Sequence, residues 1–308
     1  MIRVCVFLGL LLGLLSNSSL AGSYVLEGLN VWATRALPAL FPFMVLSGLI
    51  IRLELAERVS KAFKPLLGRL YHASSVACYV MLVGFLCGFP MGARTIAELY
   101  ERGRLTKRDG KWLLAFCNNL SPAYVMGVLF PMLGIKRMLP YLLGFYGLPL
   151  IYGWILRIIS LKHKKVEELD RPINIAPRDS SKPQSAMPFA TALRESIESA
   201  THAVIILGGY LAYFCILNLC PHLILQKPQP ILGLLLEVTT GLNAMEGRRP
   251  ILCLCAATFG GLSCIAQTHA ALSHTDLTDA MGEYVIHKII LTAISVAWYY
   301  ALFRFSGF

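Results

Sequence analysis

Eight long apolar segments follow an apolar N-terminal run in this 308-residue chain, near 37–51, 76–90, 112–134, 138–159, 203–219, 230–245, 250–272 and 284–305. A helix needs about twenty apolar residues to cross a bilayer, and only structures that satisfy their own backbone survive there. Most of these segments therefore have one outlet, a bundle of membrane-spanning helices. With 56% hydrophobic and 15% charged residues and a mean hydropathy of +0.62, the chain lacks the polar surface a soluble domain requires. The expected fold is all-α: a polytopic transmembrane helical bundle whose first partner is the lipid bilayer.

The net charge of +11 does not point to nucleic acid. The bases gather in loops between apolar runs, as the positive-inside rule expects of cytoplasmic loops. Nine cysteines, an odd number, lie mostly inside apolar runs and read as small hydrophobes rather than a disulfide framework. Cys253 and Cys255 have no paired Cys or His cluster to complete a metal site. Glu195, Glu198 and His202 of "RESIESATH" lack the partner acids and the Glu-His spacing of a di-metal bundle site. No metal and no cofactor is expected. No nucleophile elbow, P-loop or zincin motif occurs, and the chain does not read as an enzyme.

Two segments are too short or interrupted for ordinary spans: 76–90 ends in "CGFPMG", and 230–245 carries "EVTTG". Residues 52–73 hold five Lys/Arg against two acids and 92–111 hold six against three, so both flanks of 76–90 read as cytoplasmic. A segment flanked by one side does not cross. Ser74 to about Gly103 therefore reads as a re-entrant hairpin, with Gly88, Pro90 and Gly92 at its tip and "ARTIAELYER" as the return arm. The alternative is a simple span followed by an amphipathic surface helix.

A third segment, "LLAFCNNLSPAYVMGVLF", is long enough but broken by Asn118, Asn119, Ser121 and Pro122. Unpaired amides in hydrocarbon cost a few kcal/mol each, and proline removes a further backbone hydrogen bond. Ser121 suits an N-cap and Pro122 the first helical position, which predicts a half-helix starting inside the membrane. The asparagines then either bind a polar solute or satisfy the carbonyls that the break frees.

The order of unlike elements recurs. Gly92 pairs with Gly241 at an offset of 149, and Asn118 to Ser121 pair with Gly260, Gly261, Leu262 and Ser263 at an offset of 142. Each half runs amphipathic helix, span, hairpin, broken span, span. Two halves interrupted at corresponding places are the sequence pointer to a transporter-like site near the bilayer midplane. Ser263 is expected to cap the second half of its broken span. Glu237 is a lone intramembrane carboxylate and a functional-site candidate by default, although it could also cap its own hairpin turn. Thr239 and Thr240 share that ambiguity. Gln267 lies four residues after Ser263, on the same helical face. His269 reads as a packed or interfacial histidine.

These motifs carry a resemblance. At "GFPMGARTIAELYERGRLTKRDGKWLLAFCNNLSPAYVMG", "LLLEVTTGLNAMEG" and "FGGLSCIAQTHAAL", residues 24–305 resemble the sporulation integral membrane proteins of the YlbJ type, within the nucleoside-recognition or Gate-domain membrane proteins. The resemblance implies a bacterial multi-pass protein of the cell membrane or forespore membrane acting in spore formation. It also implies distant kinship with concentrative nucleoside transporters and the gate region of ferrous-iron transporters. Those nucleoside transporters carry polar side chains on the first hairpin tip, whereas the tip here is glycine-rich and apolar.

The domains expected are a transmembrane helix at 1–22, a first Gate-like repeat at 23–160, a cytoplasmic linker at 161–188 and a second repeat at 189–308. The N-terminal run reads as an uncleaved span, with a cleaved signal peptide as the alternative. The halves should have opposite orientations, with 52–73, 92–111, Asp276, Asp279 and Glu283 inside and Arg248-Arg249 outside. Asn118, Asn119, Ser121, Glu237, Thr239, Thr240 and Gln267 should meet at one central site. The function expected is a transporter or channel-like protein for a small polar or anionic solute. The competing reading is a non-transporting assembly protein that keeps the scaffold and recruits a second copy or other sporulation membrane proteins.

Overall fold

The computed structural model describes residues 2–167 and 187–306, and among these every regular element is a helix. We number them α1 (Ile2–Ser16), α2 (Ser18–Arg52), α3 (Ser75–Cys87), α4 (Met91–Glu101), α5 (Lys107–Leu114), α6 (Pro122–Met132), α7 (Met138–Leu161), α8 (Phe189–Leu225), α9 (Pro230–Leu236), α10 (Val238–Met245), α11 (Pro250–Phe259), α12 (Gly261–Leu272) and α13 (Asp276–Phe305). Five helical stretches are long and apolar enough to cross a membrane: α2, α7, α8, α11 with α12, and α13. The chain is a multi-pass membrane protein. Large apolar side chains such as Leu12, Leu26, Ile205, Ile289 and Tyr300 lie exposed around the bundle, the surface that lipid rather than water would cover.

The amphipathic start and the span of the first half run on as one 35-residue helix, α2, as expected, with Pro42 inside it. One boundary differs from expectation. The expected linker begins late: the helix that carries α7 continues to Glu167, since 161–167 are good helix formers. The rest of that linker, 168–186, lies outside the described residues.

The two long first helices pair with each other. Helices α2 and α8 pack antiparallel, with Gly28 against Ala212, the Trp32 ring over Gly208, and Gly48 against Ser196. Trp32 Nε1 donates to the Val204 carbonyl at 2.7 Å, satisfying an indole that would otherwise be bare in hydrocarbon.

Helices α3 and α4 form the expected hairpin. Ser74 caps α3, its hydroxyl accepting from Ala77 N at 3.1 Å. Gly88 turns the chain with φ +83°. Helices α9 and α10 form a second hairpin that breaks at Glu237. Between each hairpin and the last span of its half comes a broken helix, α5 to α6 and α11 to α12.

Ion pairs place the ends. Lys107 Nζ reaches Asp276 at 3.1 Å and Asp279 at 3.0 Å, Lys111 reaches Glu283 at 2.7 Å, Arg157 reaches Asp109 at 2.8 Å, and Arg52 reaches Glu98 at 3.1 Å. The open end of the first hairpin, the start of α5 and the start of α13 therefore share one end of the bundle. This end carries most of the loop bases and is the one the positive-inside rule expects to face the cytoplasm. Hydrogen bonds to Asp279 and Asp276 hold the Lys107 ammonium above its ordinary pKa. At the opposite end, Gly247 at the mouth of the second hairpin lies against the Met132 carbonyl. The two hairpins thus enter from opposite ends, and α5–α6 runs antiparallel to α11–α12, in agreement with an inverted repeat. A cysteine placed at Arg248 should label only from outside the cell and one at Arg104 only from the cytoplasm; labelling of both from one side would contradict this arrangement.

Candidate functional site

The first hairpin reaches mid-bundle because its arms have no side chains where they meet the first helix break. A Cβ added at Gly84 or at Gly92 would collide with the Cys117 carbonyl. Glycine there lets backbone lie against backbone. Gly92→Ala should destabilise by roughly 1–3 kcal/mol through overpacking, seen as a lower thermal midpoint in detergent. Past the tip, Gly88 lies against the Ser121 backbone and Phe89 against Gly260, so the first hairpin touches both helix breaks.

The first break runs from Ala115 to Ser121. Ser121 caps α6, its hydroxyl accepting from Tyr124 N at 3.3 Å, with Pro122 in the first turn. The side chains of Asn118 and Asn119 turn into the bundle. Asn118 Nδ2 donates to Thr268 Oγ1 at 2.7 Å and to Tyr284 OH at 3.1 Å, while Asn119 Nδ2 donates to the Phe116 carbonyl at 2.7 Å. The Leu120 carbonyl accepts from Tyr146 OH at 2.9 Å.

The group that completes this break is Lys288. Its side chain is 1% exposed in the middle of α13. The ammonium donates to the Asn118 carbonyl at 2.5 Å and to Asn119 Oδ1 at 3.3 Å, and it lies 4.5 Å from the centroid of the Phe89 ring. One cation thus joins the last helix, the first break and the first hairpin tip. Sequence reasoning passed over it because α13 reads as an ordinary span. The available signal was a helical stripe: Tyr284, Lys288, Leu291, Ser295 and Tyr299 recur at three and four residues and are all buried.

Glu237 is the tip of the second hairpin and 1% exposed. Its carboxylate accepts from Thr239 N at 3.1 Å, Thr240 N at 2.7 Å, Thr239 Oγ1 at 2.6 Å and Thr240 Oγ1 at 2.8 Å. It satisfies the first amides of α10 and sets a negative charge on that helix's positive end. The arms close tightly because Gly241 lies on the backbone of Gly233 and Leu234.

The second break is made by glycine alone. Gly260 at φ +90° and Gly261 at φ +77° take left-handed conformations that few other residues adopt. The cap of α12 is therefore Gly260, and the expectation that Ser263 caps it is corrected: Ser263 lies inside the helix, where its hydroxyl accepts from Gln267 Nε2 at 2.8 Å.

These elements border a partly open cavity of about 100 Å³ whose lining includes Arg35, Gly88, Phe89, Ser121, Tyr124, Glu237, Thr239 and Gln267. Both hairpin tips and the first break thus border one space, and Gln267, two turns into α12, carries the second break to it. Of the seven polar residues expected at a shared site, Ser121, Glu237, Thr239 and Gln267 line it. Asn118, Asn119 and Thr240 do not line it: their side chains bond Thr268 and Tyr284, the Phe116 carbonyl, and the Glu237 carboxylate respectively.

A second cavity of about 450 Å³ lies between α4, α8 and α12. Its residues run from Glu101, Arg102 and His274 at the cytoplasmic end to Pro90, Leu207 and Gln267 in depth. Leu207 and Gln267 also line the central cavity, so the two are neighbours.

Residues 33–136 match the family model Gate, described as nucleoside recognition. The chain resembles the Gate-domain membrane proteins. The matched region starts in α2, takes in the first hairpin and the first broken helix, and ends just beyond α6. A sporulation integral membrane protein, YlbJ of Bacillus subtilis (strain 168), is 22% identical over 291 aligned positions, covering 81% of this chain and 70% of that protein. No solved structure matches. The Gate match thus falls on the elements that build one side of the central cavity, while Glu237, Gln267 and Lys288 come from the part of the chain beyond it.

Proposed function

We propose that this chain is a transport protein of spore formation that passes a small polar or anionic solute through the central cavity, in the cell membrane or the forespore membrane. The observation that carries the reading is the cavity itself, where two re-entrant hairpins and a broken helix bring polar groups to mid-bundle from opposite ends. Interrupted elements meeting at a repeat interface are how secondary transporters build their sites. The resemblance to a sporulation membrane protein and the Gate match support the cellular setting and the transport class. The division into repeats at 23–160 and 189–308 goes with this reading, and so does the assignment of Ser121, Glu237, Thr239 and Gln267 to solute contact.

The competing reading, an assembly protein on a transporter scaffold, is favoured by one observation. The Glu237 carboxylate is already engaged by four donors of its own hairpin, as a purely structural cap would be. Proteoliposomes decide between them. Uptake of a panel of labelled nucleosides and small carboxylates should exceed that of empty liposomes for at least one solute. It should then fall about tenfold in Gln267→Ala, the loss expected for one direct hydrogen bond of about 1.4 kcal/mol. Uptake equal to empty liposomes for every solute, with folded protein present, would leave the assembly reading.

A further inference from the structure

The cytoplasmic cavity carries an arginine that makes no salt bridge among the described residues, although Glu98 lies within electrostatic reach. Arg94 sits one turn past the hairpin tip on α4. Its Nη2 donates to Ser199 Oγ on α8 at 2.6 Å, while its Nη1 is buried with no hydrogen-bond partner. The nearest acid, Glu98, is taken: Arg52 holds it at 3.1 Å and Arg102 at 3.5 Å. Among the described residues no carboxylate pairs with Arg94. A guanidinium presents five donors in a plane and is always charged, so leaving part of it unpaired beside a cavity is costly unless something enters.

We propose that Arg94 and Ser199 form a binding site for an oxyanion group, a phosphate or a carboxylate, on the wall of the cytoplasmic cavity and separate from the central one. The site has depth: Arg94 lies between the mouth, marked by Glu101 and His274, and the floor, marked by Pro90 and Gln267. The guanidinium is fixed by Ser199 rather than by an acid, which leaves its charge to the ligand. A planar, two-oxygen group matches the guanidinium fork. The ligand oxygens would pair with the guanidinium edge beside Ser199 first, and the shielded Nη1 would join once the side chain turns toward the ligand. The same chemistry is offered by a free anion entering from the cytoplasm and by the headgroup of an anionic lipid reaching in beside α8.

The test reads binding without transport, so its failure is distinguishable from failure of the transport reading. A cysteine placed at Ala270, on the cavity wall, is labelled with a maleimide in full-length protein held in nanodiscs of zwitterionic lipid. Inorganic phosphate at about four times its dissociation constant should slow labelling ~fivefold by mass action. The effect should vanish in Arg94→Gln and persist, weakened, in Arg94→Lys, with both variants monodisperse on size exclusion. Slowing by phosphate identifies a free anion as ligand. If phosphate has no effect but anionic-lipid nanodiscs slow labelling in an Arg94-dependent way, the ligand is a headgroup. Labelling rates unchanged under all conditions, or slowed equally in Arg94→Gln, overturn the proposal.

Discussion

Lys288→Glu is expected to keep the protein from reaching its folded form, whereas Lys288→Met should leave it folded. The ammonium faces two oxygen acceptors, the Asn118 carbonyl and Asn119 Oδ1, and the electron-rich face of Phe89. A carboxylate in its place meets acceptors only. An uncompensated buried charge costs about 3–5 kcal/mol or more, a large part of a total stability of about 5–15 kcal/mol. Methionine fills a similar volume. It leaves two acceptors bare, at roughly 1–3 kcal/mol each, but removes the several kcal/mol needed to keep an ammonium out of water. The two effects nearly offset. Size-exclusion profiles of the fluorescently tagged proteins in detergent, followed by thermal melts, read both variants. A Lys288→Glu protein as monodisperse and heat-stable as the parent would show that the ammonium is not what holds the break.

Glu237→Leu should be the most damaging change at the second hairpin. It strips the acceptor from two backbone amides and two threonine hydroxyls, those of Thr240 buried and those of Thr239 partly so. Each unsatisfied donor costs about 1–3 kcal/mol, so the loss should exceed ~3 kcal/mol even after the tip relaxes. Glu237→Gln keeps one carbonyl oxygen for the amides and should lose about half as much. The order parent, Gln, Leu in thermal midpoint is the outcome to check. A Leu variant that melts with the parent would mean that the tip amides find other partners.

Much of the scaffold is legible in the sequence, for identifiable reasons. Charge on both flanks of 76–90 indicated a hairpin, because an arginine-rich loop on each side is hard to reconcile with a crossing. Ser121-Pro122 marked a helix start because both residues suit that local geometry, whatever surrounds them. Ser263 misled for the converse reason. A serine near a break suits a cap, but the glycine pair before it provides the turn without one. The site was legible only in part, because polarity in a membrane segment says that a group needs a partner and not which side of a wall it faces. Asn119 and Gln267 look alike in sequence, yet one braces a break and the other lines the cavity. Lys288 stayed hidden because its partners are main-chain and amide oxygens, which leave no complementary charge in the sequence to search for.

The bond from Lys288 to the Asn118 carbonyl spans 170 residues, and this sets a clock on assembly. At a synthesis rate of about 5–20 residues per second, the opened backbone at Asn118 and Asn119 is made roughly 10–30 s before its cation leaves the ribosome. During that interval the first half has its hairpin and its break but not the amine that ties them together. Until then, water at the headgroup layer or in the insertion machinery can serve those carbonyls. Chains truncated before residue 288 should therefore remain accessible to water and to proteases in the first half, however complete that half looks in its own sequence.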